Sequence, residues 1–237
     1  GLSERDLLRA MIAKTTLPRV HAMKIAGEWP EWPPNFKSII TKSLHAENAY
    51  IRRAAAEALG VRTNLNTVGP LLERLALVPA EDTHTRHAVR VAIRNQLQSG
   101  GAASLSPKTN WLPARLLDLA EIALAVKTPA AASFLLRTDP TTMRTPELQK
   151  SAWEHVARHA PAAEVIRLAD LVRTKRSDDM DFQLNLFEVI QDGFARRGES
   201  LNDPLKAWGA GLAGKLLAAE SVARAVWGNL PPKATRY

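Results

Sequence analysis

Apolar residues recur three and four positions apart along most of the chain, the spacing of one face of an α-helix. Near the start, Leu7, Leu8, Met11 and Ile12 make such a stripe, and Ser3 with Asp6 forms a capping pair ahead of it. Pro18 can open a second helix that runs to Gly27. The same period predicts helices over 34–44, 47–59, 66–78 and 81–98, and again over 111–126, 129–137, 145–159, 161–175, 178–197 and 203–228. No run of alternating apolar and polar residues predicts strands.

Proline and glycine mark the junctions: Pro129, Pro140, Pro146, Pro161, Gly198 and Pro204. "EWPEWPPNF", 28–36, reads as a rigid connector, its two tryptophans offering either a packed loop or a peptide platform. "QSGGAASLSPKTN", 98–110, lacks apolar period and is the candidate internal break in what otherwise reads as a single domain over 1–237. Helices joined in pairs by short turns predict antiparallel pairs stacked side by side.

Internal repetition supports stacking. Arg52-Arg53-Ala54-Ala55 aligns with Arg86-His87-Ala88-Val89, and Ala58-Leu59 with Ala92-Ile93, at an offset of 34. An upstream copy is read at His21-Ala22-Met23 with Ala26, at an offset of 32, and a degenerate one at Lys150-Ser151-Ala152 with His155-Val156. A basic residue followed by small apolar ones suits a helix that approaches its neighbour closely, with the basic side chain tying one unit to the next.

"AENAYIRRAAAEALG", 46–60, resembles the second helix of HEAT repeats, whose pattern is roughly Asp-x-x-Val-Arg-x-x-Ala-Ala-x-Ala-Leu-Gly. Ile51, Arg52, Ala55, Ala58, Leu59 and Gly60 carry the likeness, which covers about residues 18–97. "PLLERLALVPAEDTHTRHAVRVAIRNQL", 70–97, is similar to the HEAT segment of large bacterial fusions of the Planctomycetes–Verrucomicrobia type, where a sugar-dehydrogenase-like propeller precedes and a c-type haem domain follows. The resemblance implies an all-α, HEAT-like (armadillo-type) right-handed superhelix of about five or six antiparallel helix pairs. It also implies an extracytoplasmic setting if the fusion likeness holds, and a role as an accessory region. Propeller strands and a haem-binding cysteine motif are absent from this sequence, so the enzymatic activity of those fusions does not carry over.

Composition narrows the chemistry. The 237 residues contain no cysteine, which excludes disulfides, thiolate metal sites and cysteine nucleophiles. Aromatics are only 5%, so alanine, leucine and valine must fill the core. No apolar run reaches the length of a membrane span. The start, Gly1-Leu2-Ser3-Glu4, has no signal-peptide pattern, and its lack of an initiator methionine is the mark of a processed product or a piece of a larger protein. A net charge of +8 favours anionic partners in general.

Arg86, Arg90 and Arg94 recur every four residues and make a basic ridge, and "RTKR", 173–176, adds a second cluster. A ridge with Trp29, Trp32 or Trp111 has the elements of a nucleic-acid grip, and HEAT-like alkylpurine DNA glycosylases are enzymes built on such an array. His155 with His159, and His84 with His87, share helix faces, but no third ligand accompanies either pair, so no metal site is expected. "SDDMD", 177–181, is read as Ser177 capping a helix with Asp178 and Asp179 in its first turn. Gly209, Gly211 and Gly214 spell a dinucleotide fingerprint, yet the preceding "DPLKAW" predicts a helix where that motif needs a strand, so helix packing is the expected role. The sequence therefore predicts a non-enzymatic scaffold, without cofactor, that contacts a protein partner through Arg53, Arg86, Arg90 and Arg94. DNA binding or a glycosylase-like activity is the rival reading.

Overall fold

The computed structural model describes residues 3–63, 67–101 and 112–228, and every regular element among them is helical. The α-helices are α1 (Glu4–Met11), α2 (Thr16–Glu28), α3 (Pro34–Ser43), α4 (Ala49–Val61), α5 (Val68–Ala76), α6 (Thr83–Gln96), α7 (Pro113–Ala123), α8 (Pro129–Arg137), α9 (Pro146–His159), α10 (Ala162–Lys175), α11 (Met180–Arg196) and α12 (Asp203–Gly228). A π-turn over Leu97–Gly101 extends α6. The remainder of the 98–110 candidate linker, 102–110, and Trp111 lie outside the described residues. No described helix is long and apolar enough to cross a membrane.

Local chemistry sets the helix starts. Ser3, Asn48, Asp82, Thr128 and Asp179 each accept a bond from a backbone N–H of the first turn. Pro34, Pro113 and Pro129 occupy first-turn positions, where a missing N–H costs nothing. One capping expectation is corrected: Asp179, not Ser177, caps α11, because its carboxylate receives the Phe182 N–H at 3.1 Å.

Packing divides the chain into two units, 1–152 and 153–237, with the division falling within α9. In the first unit α1 packs on α2, α3 on α4 and α5 on α6, each pair joined by a short connection that makes it antiparallel. The second members, α2, α4 and α6, lie side by side and parallel. Their starts are tied together: Asn48 at the head of α4 donates to the Thr16 hydroxyl at the head of α2 (3.3 Å), and Arg52 pairs with Asp82 at the head of α6 (3.1 Å). Their ends are tied as well. Gln96 donates to the carbonyls of Leu59 (2.8 Å) and Arg62 (3.1 Å), and Asn95 to that of Gly60 (3.2 Å).

Small residues permit this approach. A Cβ added to Gly27 would lie 3.3 Å from the Ala58 Cα, and one added to Gly60 would lie 2.9 Å from the Ala92 Cα. Ala54, Ala55 and Ala58 are buried in the same contact. Behind it, Leu7, Met11, Met23, Phe36, Ile40, Leu59, Leu71 and Ile93 fill the core, each contributing roughly 1.5–3 kcal/mol by burial.

One arginine recurs with the same duty in each pair. Arg19 donates to the Met11 carbonyl (3.2 Å), Arg52 to those of Ala46 (3.1 Å) and Glu47, and Arg86 to that of Val78 (2.8 Å). Each reaches back to the end of the helix, or the turn, that precedes its own. These arginines stand 33 and 34 residues apart. The upstream copy is thus in register at 33, with Arg19 matching Arg52 and Gly27 matching Gly60, rather than at the 32 that aligned His21 with Arg53.

In the second unit α10, α11 and α12 pack through larger groups. Trp153 meets Phe182 edge-on at 6.0 Å, and Phe187 meets Trp208 at 5.4 Å. Gln183 closes the α10–α11 turn by donating to the carbonyls of Arg176 (2.7 Å) and Ser177 (3.2 Å).

Candidate functional site

The parallel helices α2, α4 and α6 each turn one stripe outward. On α4 it is Tyr50, Arg53, Glu57 and Val61, three or four residues apart, with Tyr50 71% and Val61 60% exposed. On α2 it includes Leu17, His21 and Ile25, the first 67% exposed. On α6 it is His84, His87 and the half-buried Val91. Because glycine and alanine bring α4 and α6 so close, the valley between them has a shallow floor of Ala56, Gly60, Ala88 and Ala92. It encloses about 370 Å³, rimmed by Arg53, Glu57, His84 and His87.

The four arginines read from the sequence do not form one surface. Arg53 stands on the valley rim, half exposed, with its Nε donating to Glu57 at 2.7 Å. Arg86, Arg90 and Arg94 do share one side of α6, about 120° around the helix from His84, His87 and Val91 at 100° per residue. Two of them are engaged within the fold. Arg86 holds the Val78 carbonyl, and Arg90 lies 3.9 Å from Glu121 on α7, a carboxylate that also receives Arg144. Arg94 is exposed and touches Asn95 at 3.2 Å.

The central polar tie is one the sequence reading overlooked. Asp82 caps α6 by accepting from the Thr85 N–H at 3.0 Å and pairs with Arg52. Both side chains are largely buried, at 18% and 14% exposure. Burial works to raise the Asp82 pKa, but the bonds from Thr85 and Arg52 outweigh it and hold the carboxyl below its ordinary value. The signal in the sequence was an aspartate three residues ahead of Thr85 at a helix start. What could not be read was that Arg52, thirty residues earlier, folds onto it.

Other carboxylates with shifted acidity are also held low: Glu147 by its own backbone N–H and the Thr145 hydroxyl, and Asp192 by Arg196. That direction marks caps and ion pairs, whereas a general base is raised towards neutrality. Among the described residues no three His, Asp or Glu side chains converge as metal ligands.

The glycine motif lies in the interior of α12, where backbone N–H groups belong to the helix ladder and no strand precedes them. Gly209 is a contact glycine, with the Phe187 ring resting where its Cβ would be. Gly211 and Gly214 face open space. The tryptophans of the 28–36 connector are packed rather than displayed. Trp32 donates to the Ala26 carbonyl at 2.6 Å, and both Trp29 and Trp32 lie against Phe36.

No family model, no curated protein and no solved structure matches this chain.

Proposed function

We propose that the chain is a HEAT-like stack of helix pairs acting as a non-enzymatic protein-interaction module within a larger protein, with the outward face of α2, α4 and α6 as its docking surface. The observation that carries this reading is the apolar character of that face. Leu17, Ile25, Tyr50 and Val61 are exposed on adjacent, parallel helices, beside a valley with a small-residue floor. Neighbouring exposed apolar residues with a polar rim mark protein contacts. The recurrence of Arg19, Arg52 and Arg86 at 33 and 34 residues supports the repeat reading.

The rival DNA reading loses its main element, because Arg86 and Arg90 are occupied internally. Its test is direct. Plain duplex, single-stranded and alkylated DNA should bind the chain with similar weak affinity that fades towards physiological salt, as nonspecific phosphate contacts do. Site-specific photo-crosslinkers at Tyr50 and Val61 should capture the same protein from an extract of the source organism. A crosslinker at Leu77, 62% exposed but off this face, should not. Equal capture from all three positions would remove the docking face. Salt-resistant binding that prefers alkylated DNA and disappears when Arg53, Arg86, Arg90 and Arg94 become alanine would install the DNA reading instead.

A further inference from the structure

The first helices of the pairs carry a surface of different character. Two cavities, about 650 Å³ and about 420 Å³, open beside α1 and α3 and share Ile12, Ile39 and Lys42 as lining, so they form one continuous groove. Its floor is apolar. Leu8 and Ile39 are half-buried, and Ile12, just past the end of α1, is 66% exposed. Its walls are cationic, with Arg5, Arg9 and Lys42 around one cavity and Lys14, Arg19 and Lys42 around the other. The single carboxylate in the lining is Glu47. Asp6, also on α1, is bound to Ser3 at the N-cap.

These cations differ from the other arginines of the unit. Arg52, Arg90, Arg115 and Arg144 each have a carboxylate partner. Among the described residues no carboxylate lies within ion-pair distance of Arg5, Arg9, Lys14 or Lys42. Unpaired positive charge is thus gathered around exposed isoleucine, which is unfavourable for a surface that meets water alone.

We propose that this groove docks an acidic amphipathic segment of a protein partner, one that alternates Asp or Glu with aliphatic residues. Its carboxylates would meet Arg5, Arg9, Lys14 and Lys42, while its apolar side chains cover Leu8, Ile12 and Ile39. Charge complementarity selects the sign of the occupant, and the apolar floor selects peptide over nucleic acid. A phosphodiester backbone has nothing to place on Ile12 and Ile39, and the lining has no aromatic ring on which a base could stack. This site lies away from the valley between α4 and α6, and each surface can bind whether or not the other does.

Fluorescence anisotropy of the whole chain tests the proposal with three probes: a labelled peptide of about twelve residues alternating Asp and Leu, an oligoglutamate of equal length, and duplex DNA. The Asp/Leu peptide should bind tightest. The Arg9→Glu, Lys42→Glu double variant should weaken it by about tenfold or more, and Ile12→Ser by about threefold to tenfold, the scale of lost charge pairs and one apolar contact. Oligoglutamate should respond to the charge reversal but not to Ile12→Ser. Circular dichroism confirms that each variant keeps its helices, and Lys42→Gln with Ile12→Ser carries the test if the double reversal unfolds. Oligoglutamate or DNA binding as tightly as the Asp/Leu peptide would overturn the proposal, as would an Asp/Leu affinity unmoved by these variants. The Tyr50 and Val61 crosslinks report on the other face, so either surface can fail without the other.

Discussion

The α2/α4/α6 stack and the α10–α12 region solve the same packing problem with different materials. In the stack, backbone faces backbone across Gly27–Ala58 and Gly60–Ala92, and side-chain hydrogen bonds fasten both ends. In α10–α12, rings fill the gaps: Trp153 on Phe182, and Phe187 on Trp208 over Gly209. A backbone cannot move aside, so the first contact fixes one register and requires small residues at set places. A ring can turn, so the second tolerates varied residues and leaves no repeat. This is why recurrence at 33–34 residues was visible in one part of the chain and faint in the other.

The largest expected effect breaks the polar tie that only the stack possesses. Asp82→Ala removes the α6 cap and leaves Arg52 without its partner in a largely buried position, costing about 2–4 kcal/mol. Chemical denaturation would measure it, and a loss below about 0.5 kcal/mol would show that the tie is dispensable. The tie also has a pH signature. Asp82 is held below its unfolded value of about 3.9, so its stabilisation is present above that pH and is lost as pH falls through the lower, folded value. Asp82→Asn should therefore flatten the acid limb of the melting-temperature profile and leave the neutral-to-basic limb parallel to wild type.

Next in size are the contact residues. Gly60→Ala drives a methyl group into the Ala92 backbone and should cost about 1–3 kcal/mol despite alanine's better helix propensity. Ala55→Leu, at a fully buried position, should cost a similar amount. Gly209→Ala is the matched control. Its methyl meets the half-buried Phe187 ring, which can swing outward, and the gain in helix propensity of about 0.5–1 kcal/mol offsets the displacement. A near-zero change for Gly209→Ala beside a clear loss for Gly60→Ala sharpens the contrast between rigid and compliant contacts. Equal losses would break it.

The helices and most of their ends were legible in the sequence, because proline, capping residues and a 3.6-residue period are local signals. So were the buried alanines at 54, 55 and 58. What stayed hidden depends on which residues meet across space. Arg19 was unremarked, although it plays the part of Arg52 one pair earlier. Gln96 reads as an ordinary polar residue of a helix end, yet it is buried and holds two carbonyls of α4's last turn. The ridge of Arg86, Arg90 and Arg94 was legible as a shared face, but a helix wheel does not say whether a face meets water or Glu121.

The smallest expected effects separate those arginines. Arg86 is half-buried and satisfies the Val78 carbonyl, so Arg86→Ala should cost about 1 kcal/mol, the net worth of such a bond. Arg53 forms only an exposed pair with Glu57 one turn away, and Arg94 touches only its neighbour Asn95. Each should therefore change stability by less than about 0.5 kcal/mol when replaced by alanine. Thermal melts of the three variants at low and at high salt distinguish the cases. The Arg86 loss should persist when salt screens charge, because its acceptor is a neutral carbonyl in a partly buried turn. The Arg53 effect should shrink towards zero. If Arg53→Ala proves as costly as Arg86→Ala, Arg53 belongs to the structural ties and not to the exposed rim. The docking face would then rest on Leu17, Ile25, Tyr50 and Val61 without it.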